Sequence, residues 1–476
     1  MDETQALEMI QKSPEEFLKV FPSLLTEEKI TNGFLSFCVL QLTQQKHRFS
    51  FSRAWPGWIE AIGAERGLQT AFNIVSRLEV ALGYRKPTMA IYDHALHFIG
   101  GAQKYGCTLA QALQDKFDVT LISNKEVTLP YLQKWYRLDL SQCRLQVVPI
   151  PFFESRKREM ELIDPSEVNL KGDNPFHIIS RLSGDYDFFI NNSMLEMVYP
   201  LANVSVFVCH FPEREKSRFF HAEKYTEIVY NSRYTAKWIK IKWGLNPHFH
   251  LYPPVEMTSP EGLDKKELAI LSVARFDPGG NKQQMQMIKA FKSLCKNNKE
   301  GMEGWKLILA GGSVPGNPYL ERVCEFLSRD PDERIQLKVN VPEEELRAIY
   351  RQAKIFWHFC GLNQKDPAKV EHFGMNIVEA MQNACLPIVF RGGGQPEIVE
   401  DGVSGFLFKN EEDLNAKTLD LILHPERFVE MGIKAQERSR IFHADVFIEK
   451  ARLHFQKLLR QYRLGDEQPA IKLKSS

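Results

Sequence analysis

The chain has 476 residues, room for two large domains or three modest ones, and 43% hydrophobic with 25% charged residues is the balance of a soluble globular protein. Sixty-one basic against 60 acidic residues leave a net charge of +1, which excludes the broad basic surface of a dedicated nucleic-acid binder. Small acidic or phosphorylated ligands need only a local patch and stay open.

Eight cysteines, mostly inside apolar runs, form no Cys-x-x-Cys pair, so buried free thiols of a reducing compartment are expected. No stretch reaches the roughly 20 apolar residues of a spanning helix. The acidic start MDETQALEMIQKSPEEF is unlike a secretory signal, and a cytoplasmic location is the expectation.

Residues 1–85 carry helical periodicity, as in LQTAFNIVSRLEVALGY, and few strand signals. They read as a separate helical extension, available for a partner, for self-association or for covering a substrate. From residue 86 the pattern changes. PTMAIYD (87–93) is a short apolar run, and GGAQKYGCTLAQALQDKF after it reads as a glycine turn opening an amphipathic helix. DVTLISN (118–124), RLQVVPIP (144–151), YDFFINN (186–192), VSVFVCHF (204–211) and TEIVYNS (226–232) are further buried strands. Near-continuous apolar strands with helices between them predict a parallel sheet covered on both faces.

LYPPVEMTSPEGLDKKE (251–267) is rich in proline and charge and reads as a linker. The alternation then restarts with LAILSVARF (268–276), a helix over 281–296, WKLILAGG (305–312), IQLKVN (335–340), a helix near PEEELRAIYRQA, KIFWHFC (354–360) and LPIVFRGG (386–393). Residues 411–463 are helical throughout. The economical solution is α/β: two doubly wound Rossmann-like domains, 86–256 and 257–440, facing a cleft. C-terminal helices follow in 441–476, with a return to the first domain as one option. Ligands of such sheets bind beyond the carboxyl ends of the strands, so chemistry is sought there.

Five stretches meet that condition. In DHALHFIGGAQ, Gly100 and Gly101 precede a helix whose backbone N–H groups can face a phosphate or sugar oxygen, although a tight turn alone explains them. In VARFDPGGNKQ, Arg275 and Lys282 flank a turn of Pro278, Gly279 and Gly280; a guanidinium and an ammonium on one loop suit a diphosphate. In EHFGMNIVEAM, a helix starting near Gly374 leaves Phe373, Gly374 and Met375 with N–H groups to offer to ligand hydroxyls. Glu379 then lies in its early turns, suited to a ribose diol, and Glu371 in the loop ahead, near a reacting sugar. The competing account of this pair is a helix-start carboxylate with a salt-bridged partner. In FRGGGQPEIVEDGVSGFLF, Gly392–Gly394 read as a structural turn and Glu397 as a local cap or ion pair. In VCHFPE, His210 follows a strand and is able to face the cleft, yet a lone histidine there is more often structural. Asp187, in the DYD of 185–187, precedes an apolar run and is assigned to structure; no metal site is expected.

These residues resemble the GT-B-fold glycosyltransferases of family 4, the large retaining group acting on nucleotide sugars. EHFGMNIVEAM is similar to the group's Glu, seven residues, Glu signature. The flanking segments are similar to members that build bacterial surface polysaccharides, and HFP with LYPPV to eukaryotic mannosyltransferases that extend lipid-linked oligosaccharides. The resemblance covers roughly residues 87–460 and leaves the first 85 unmatched. It implies that Arg275 and Lys282 bind the donor diphosphate, with Lys282 the less secure because of the inserted DPGG. Glu379 would take the ribose, Glu371 and the amides of Phe373 to Met375 the donor sugar, and His210 the sugar or the reacting groups. Gly100, Gly101 and Ala102 would line the phosphate and acceptor side. The implied function is retaining sugar transfer from a nucleotide sugar to a glycan, lipid-linked or protein acceptor, with no cofactor or metal. The alternatives are a GT-B phosphorylase or nucleotide-sugar epimerase, and a non-catalytic sugar-binding scaffold. The basic segment RYTAKWIKIKWG (233–244) is favoured as a helix packed on its sheet; its other use is peripheral contact with an anionic membrane face.

Overall fold

The computed structural model describes all residues except 28–30, 32–33, 36, 39–40, 43–59, 82, 151–173, 214–215, 217–218, 257–265 and 465–476. Seven strands form the first sheet: β1 (Thr88–Tyr92), β2 (Asp118–Ser123), β3 (Arg144–Val147), β4 (Phe188–Asn191), β5 (Val204–Cys209), β6 (Glu227–Tyr230) and β7 (Phe249–His250). Their order is β3-β2-β1-β4-β5-β6-β7, and every neighbouring pair is parallel. The second sheet contains β8 (Glu267–Val273), β9 (Lys306–Gly311), β10 (Ile335–Val339), β11 (Ala353–His358), β12 (Leu386–Phe390) and β13 (Phe406–Phe408). Its order is β10-β9-β8-β11-β12-β13, again parallel throughout.

Period-2 alternation explains why the first sheet needs two cores. Met89 and Ile91 of β1, with Phe188 and Ile190 of β4, join one core; Ala90 and Tyr92, with Phe189, join the other. The helix Ala444–Leu464, after the second domain, covers the first of these with Phe447, Phe455, Leu458 and Tyr462. Each such side chain contributes roughly 1.5–3 kcal/mol when fully buried, so this helix is part of the first domain's core. The linker and the returning chain run side by side: Val255 N–H donates to Phe442 O and Ala444 N–H to Val255 O. On the other face, Ile239 and Trp243 of the 233–244 segment are buried, while Ile241 is 58% exposed, so this segment packs on its sheet.

The extension has a core of its own, with Ile10, Phe17, Phe21, Leu35 and Ile74. Its last helix, Leu68–Ala81, and the turn after it are tied to the amino ends of β1 and β4, away from the cleft. Asp187 is the node. It receives both terminal nitrogens of Arg85 (2.5 and 3.0 Å), the Thr88 N–H (2.8 Å) and the Tyr462 hydroxyl (2.7 Å), the structural use expected of it. Among the described residues, no helix is long and apolar enough to cross a membrane. All eight cysteines are free, and only Cys324 is exposed.

Candidate functional site

In each sheet the strand order reverses beside the first strand, between β1 and β4 and between β8 and β11. Loops leaving the carboxyl ends of adjacent strands diverge there and open a crevice. In the second domain this crevice is lined by charge. Lys282 Nζ lies 2.6 Å from Glu371 Oε2, and His358 Nε2 lies 3.0 Å from the same oxygen. Burial alone would raise the Glu371 carboxyl pKa, but the Lys282 ammonium and the His358 hydrogen bond outweigh it and hold the carboxyl well below the usual range. Burial works against the Lys282 charge as well, and Glu371 reverses that, pushing the ammonium pKa up. The salt-bridged partner that the competing account demanded of Glu371 is therefore present, inside the crevice.

His358, Cys360 and Glu371 present ligand atoms within 4.8 Å of one another, a spacing a metal ion would accept. The donor chemistry disfavours it. Burial pushes the Cys360 thiol up to about 12, so it stays protonated, and the Lys282 ammonium stands 3.8 Å from its Sγ. The cation of this cluster is an ammonium. Arg275, just past β8, is exposed, and among the described residues its guanidinium has no hydrogen-bond or ion-pair partner.

The signature helix runs Met375–Gln382, with Gly374 at its N-cap at φ +112°, a conformation that strains any other residue. The amides of Phe373, Gly374 and Met375 meet no acceptor among the described residues. They form a positively polarised mouth beside Glu371. Glu379, one turn in, accepts from the Tyr350 hydroxyl at 3.0 Å through Oε2. The glycine run is more than a turn. A Cβ at Gly393 would lie 2.0 Å from Glu371 O, and Gly394 N–H donates to that carbonyl at 2.8 Å, so the run seats the loop that carries Glu371.

The first domain meets this mouth directly. A Cβ added at Gly101 would lie 3.0 Å from Met375 Sδ, and Gly100 caps the helix Gly101–Leu113. Phe211, next to His210, stacks on His372, next to Glu371, at 4.0 Å and 5°. Burial, with His372 nearby, lowers the His210 pKa to about 4, so its ring is neutral. The two domains thus bring Gly100, Gly101, His210, Arg275, Lys282, Glu371, Phe373, Gly374, Met375 and Glu379 around one cleft.

Glu397 differs from its expected local role. Its carboxylate reaches across to accept the N–H groups of Arg233 and Tyr234, both at 2.9 Å, and the Tyr252 hydroxyl at 3.1 Å. It caps a first-domain helix from the second domain. Sequence reasoning also passed over Asp93, Asn192 and His358. Asp93 and Asn192 lie 99 positions apart and hydrogen-bond only because β1 and β4 are neighbours, and His358 reads as one more residue of an apolar strand.

Comparison with known proteins bears on the second domain and on the fold. Residues 256–438 match the family described as Glycosyl transferases group 1. The chain is 25% identical to trehalose synthase of Pyrococcus horikoshii over 254 residues, 49% of this chain and 58% of that protein. It is 29% identical to the human GDP-Man:Man(3)GlcNAc(2)-PP-Dol alpha-1,2-mannosyltransferase over 230 residues, 45% of this chain and 44% of that one. With human alpha-1,3/1,6-mannosyltransferase ALG2 it shares 27% over 298 residues, covering 53% and 68%. The first two of these matches span about half the length of the relatives. Among solved structures, Anabaena HepE in complex with UDP-glucose superposes with a TM-score of 0.57 at 15% identity, covering 78% of this chain and 100% of that one. Sucrose-phosphate synthase from Thermosynechococcus elongatus gives 0.58 at 15%, covering 79% and 100%. The fold is that of the GT-B glycosyltransferases.

Proposed function

We propose that this chain, whose residues 256–438 match the family described as Glycosyl transferases group 1, transfers a sugar from a nucleotide-sugar donor to an acceptor hydroxyl, with retention of anomeric configuration. The observation that carries the reading is the second-domain crevice, where Arg275, unpartnered among the described residues, and the Lys282–Glu371 pair lie beside the open mouth of the helix Met375–Gln382. Breaking a sugar–diphosphate bond builds negative charge on the leaving phosphate. Preorganised cations and amide N–H groups stabilise that charge without rearranging during the reaction. Arg275 supplies a planar fork for phosphate oxygens. The Lys282 ammonium has three hydrogens, of which Glu371 takes one and the Cys360 sulfur another, so it is held in place with one still able to donate. Glu379, with one oxygen on Tyr350, keeps the other for a ribose hydroxyl.

Glu371 is a poor nucleophile in this setting, because its charge is compensated by Lys282 and one oxygen is occupied by two donors. Attack by the acceptor on the face the diphosphate leaves is therefore the preferred course for retention. One relative is a GDP-Man mannosyltransferase and one structural neighbour is bound to UDP-glucose, which supports a nucleotide-sugar donor; the acceptor is proposed to be a glycan, a lipid-linked sugar or a protein.

The test is nucleotide release from a panel of UDP-, GDP- and ADP-sugars, with and without acceptor glycans. Acceptor-stimulated release that falls at least about a hundredfold in Arg275→Ala, with the fold intact, is the expected result. Release independent of Arg275 discards the site, and conversion of the donor without transfer favours the epimerase or phosphorylase reading.

A further inference from the structure

The loops at the carboxyl ends of β1, β4 and β5 hold a buried hydrogen-bonded chain, two of whose members, Asp93 and Asn192, the transfer reading leaves without a task. Asn192, one residue past β4, donates through Nδ2 to Asp93 Oδ2 at 2.8 Å and to Ala102 O at 2.9 Å. A backbone carbonyl only accepts, so this end of the amide is the NH₂ end. The other end, Oδ1, lies 3.2 Å from His210 Nε2. An amide oxygen carries no hydrogen, so Nε2 must be the donor. Burial keeps the ring neutral, and a neutral imidazole carries one proton. Nδ1 is then left with a lone pair. Among the described residues no group hydrogen-bonds to Nδ1, and the ring keeps some exposure.

The rest of the chain fixes this arrangement. Asp93 also receives the Ala95 N–H at 2.9 Å and the Gln103 amide at 3.2 Å on both oxygens, so its carboxylate cannot swing away from Asn192. Thr235 donates to His210 O at 2.9 Å, and Tyr105 meets the ring edge-on at 5.2 Å.

We propose that Asn192 is a positioning residue: it fixes His210 as the Nε2–H tautomer, so that His210 meets a bound substrate as a hydrogen-bond acceptor through Nδ1. The group recognised there is a hydroxyl that donates, and a phosphate oxygen is excluded, since neither partner would carry a hydrogen. The consequence for turnover rests on the transfer reading; the tautomer does not.

Imidazole nitrogen NMR on the full chain, labelled with ¹⁵N-histidine and assigned with His210→Gln, tests it. The wild-type ring is expected to show Nε2 protonated and Nδ1 bare throughout pH 6 to 8. In Asn192→Ala the Nδ1–H form appears, and kcat falls about tenfold, the worth of one neutral hydrogen bond, with the donor KM changed less. A wild-type ring protonated on Nδ1, or doubly protonated at pH 7, overturns the proposal without any variant having to fold. An Nε2–H ring in a protein that transfers no sugar upholds the assignment and sinks the transfer reading. A wild-type Nδ1–H ring in an active enzyme does the reverse.

Discussion

The two halves of the cleft share a topology and differ in how their strand ends hold polar groups. At the carboxyl ends of β8 and β11 the second domain pairs opposite charges, Lys282 with Glu371, and each keeps the other ionised against burial. At the carboxyl ends of β1, β4 and β5 the first domain pairs amides, a neutral imidazole and one carboxylate, Asp93, whose pKa burial raises to about 6. On the proposed reading, the first of these sides meets a diphosphate and the second meets hydroxyls. Burial therefore has opposite consequences in the two places, according to whether an opposite charge is within reach.

The largest break in this comparison comes from removing one charge of the pair. Lys282→Ala leaves Glu371 buried without compensation and is expected to cost about 3 to 5 kcal/mol in chemical denaturation of the second domain. Glu371→Gln added to it should recover most of the loss, and a single variant as stable as the parent would show that the pair is idle.

Acid separates the halves next. Asp93 holds its proton more tightly folded, with a pKa of about 6, than unfolded, near 3.9, so folding takes up a proton between those values. Its contribution to stability falls as pH rises from about 4 to about 6, by roughly 2 to 3 kcal/mol. Glu371 acts in the other direction: its pKa is lowered on folding, so its contribution is present above the ordinary carboxylate value and is lost as pH falls through the folded one. In Asp93→Asn the first-domain decline between pH 4 and 6 should vanish, while the acid-side loss from Glu371 persists. Unfolding free energies measured from pH 4 to 8 decide it; an unchanged pH profile in Asp93→Asn contradicts the burial argument.

Smaller effects are expected where the halves touch. Glu397→Ala removes three hydrogen bonds between them and should cost about 1 to 2 kcal/mol, with a larger radius of gyration in solution scattering as the cleft opens. Unaltered scattering would mean the cap does not hold the halves together. Gly101→Ala sets a methyl 3.0 Å from Met375 Sδ, the flexible end of a side chain, and should change stability by no more than about 0.5 kcal/mol.

Most of the strands from β1 to β6 and from β8 to β12 were legible because parallel strands covered on both faces are continuous apolar runs, although β3 and β10, at the sheet edges, are more polar and only partly buried. β7, with two residues, is shorter than any pattern can signal, and the helix Pro318–Arg329 was passed over although Asn317 and Pro318 mark its start. In the second domain, Glu371, Gly374 and Glu379 fall in one segment with Arg275 and Lys282 in another, so their grouping could be read from short motifs. On the other side, Asp93, Asn192 and His210 are distributed over three strand ends and converge only through sheet order. Glu397 was read as a local group because nothing in its neighbourhood reveals a helix start 164 positions away.

The proposed transfer turns on Arg275 and Lys282 clamping a diphosphate at the mouth of the helix Met375–Gln382. Calorimetric titration of UDP, GDP and ADP into the parent chain and into Arg275→Ala measures it directly. One of these diphosphates is expected to bind, and the variant to bind it at least about tenfold more weakly, the loss of a charge-assisted contact. Equal binding by both proteins, or none by the parent, would contradict it.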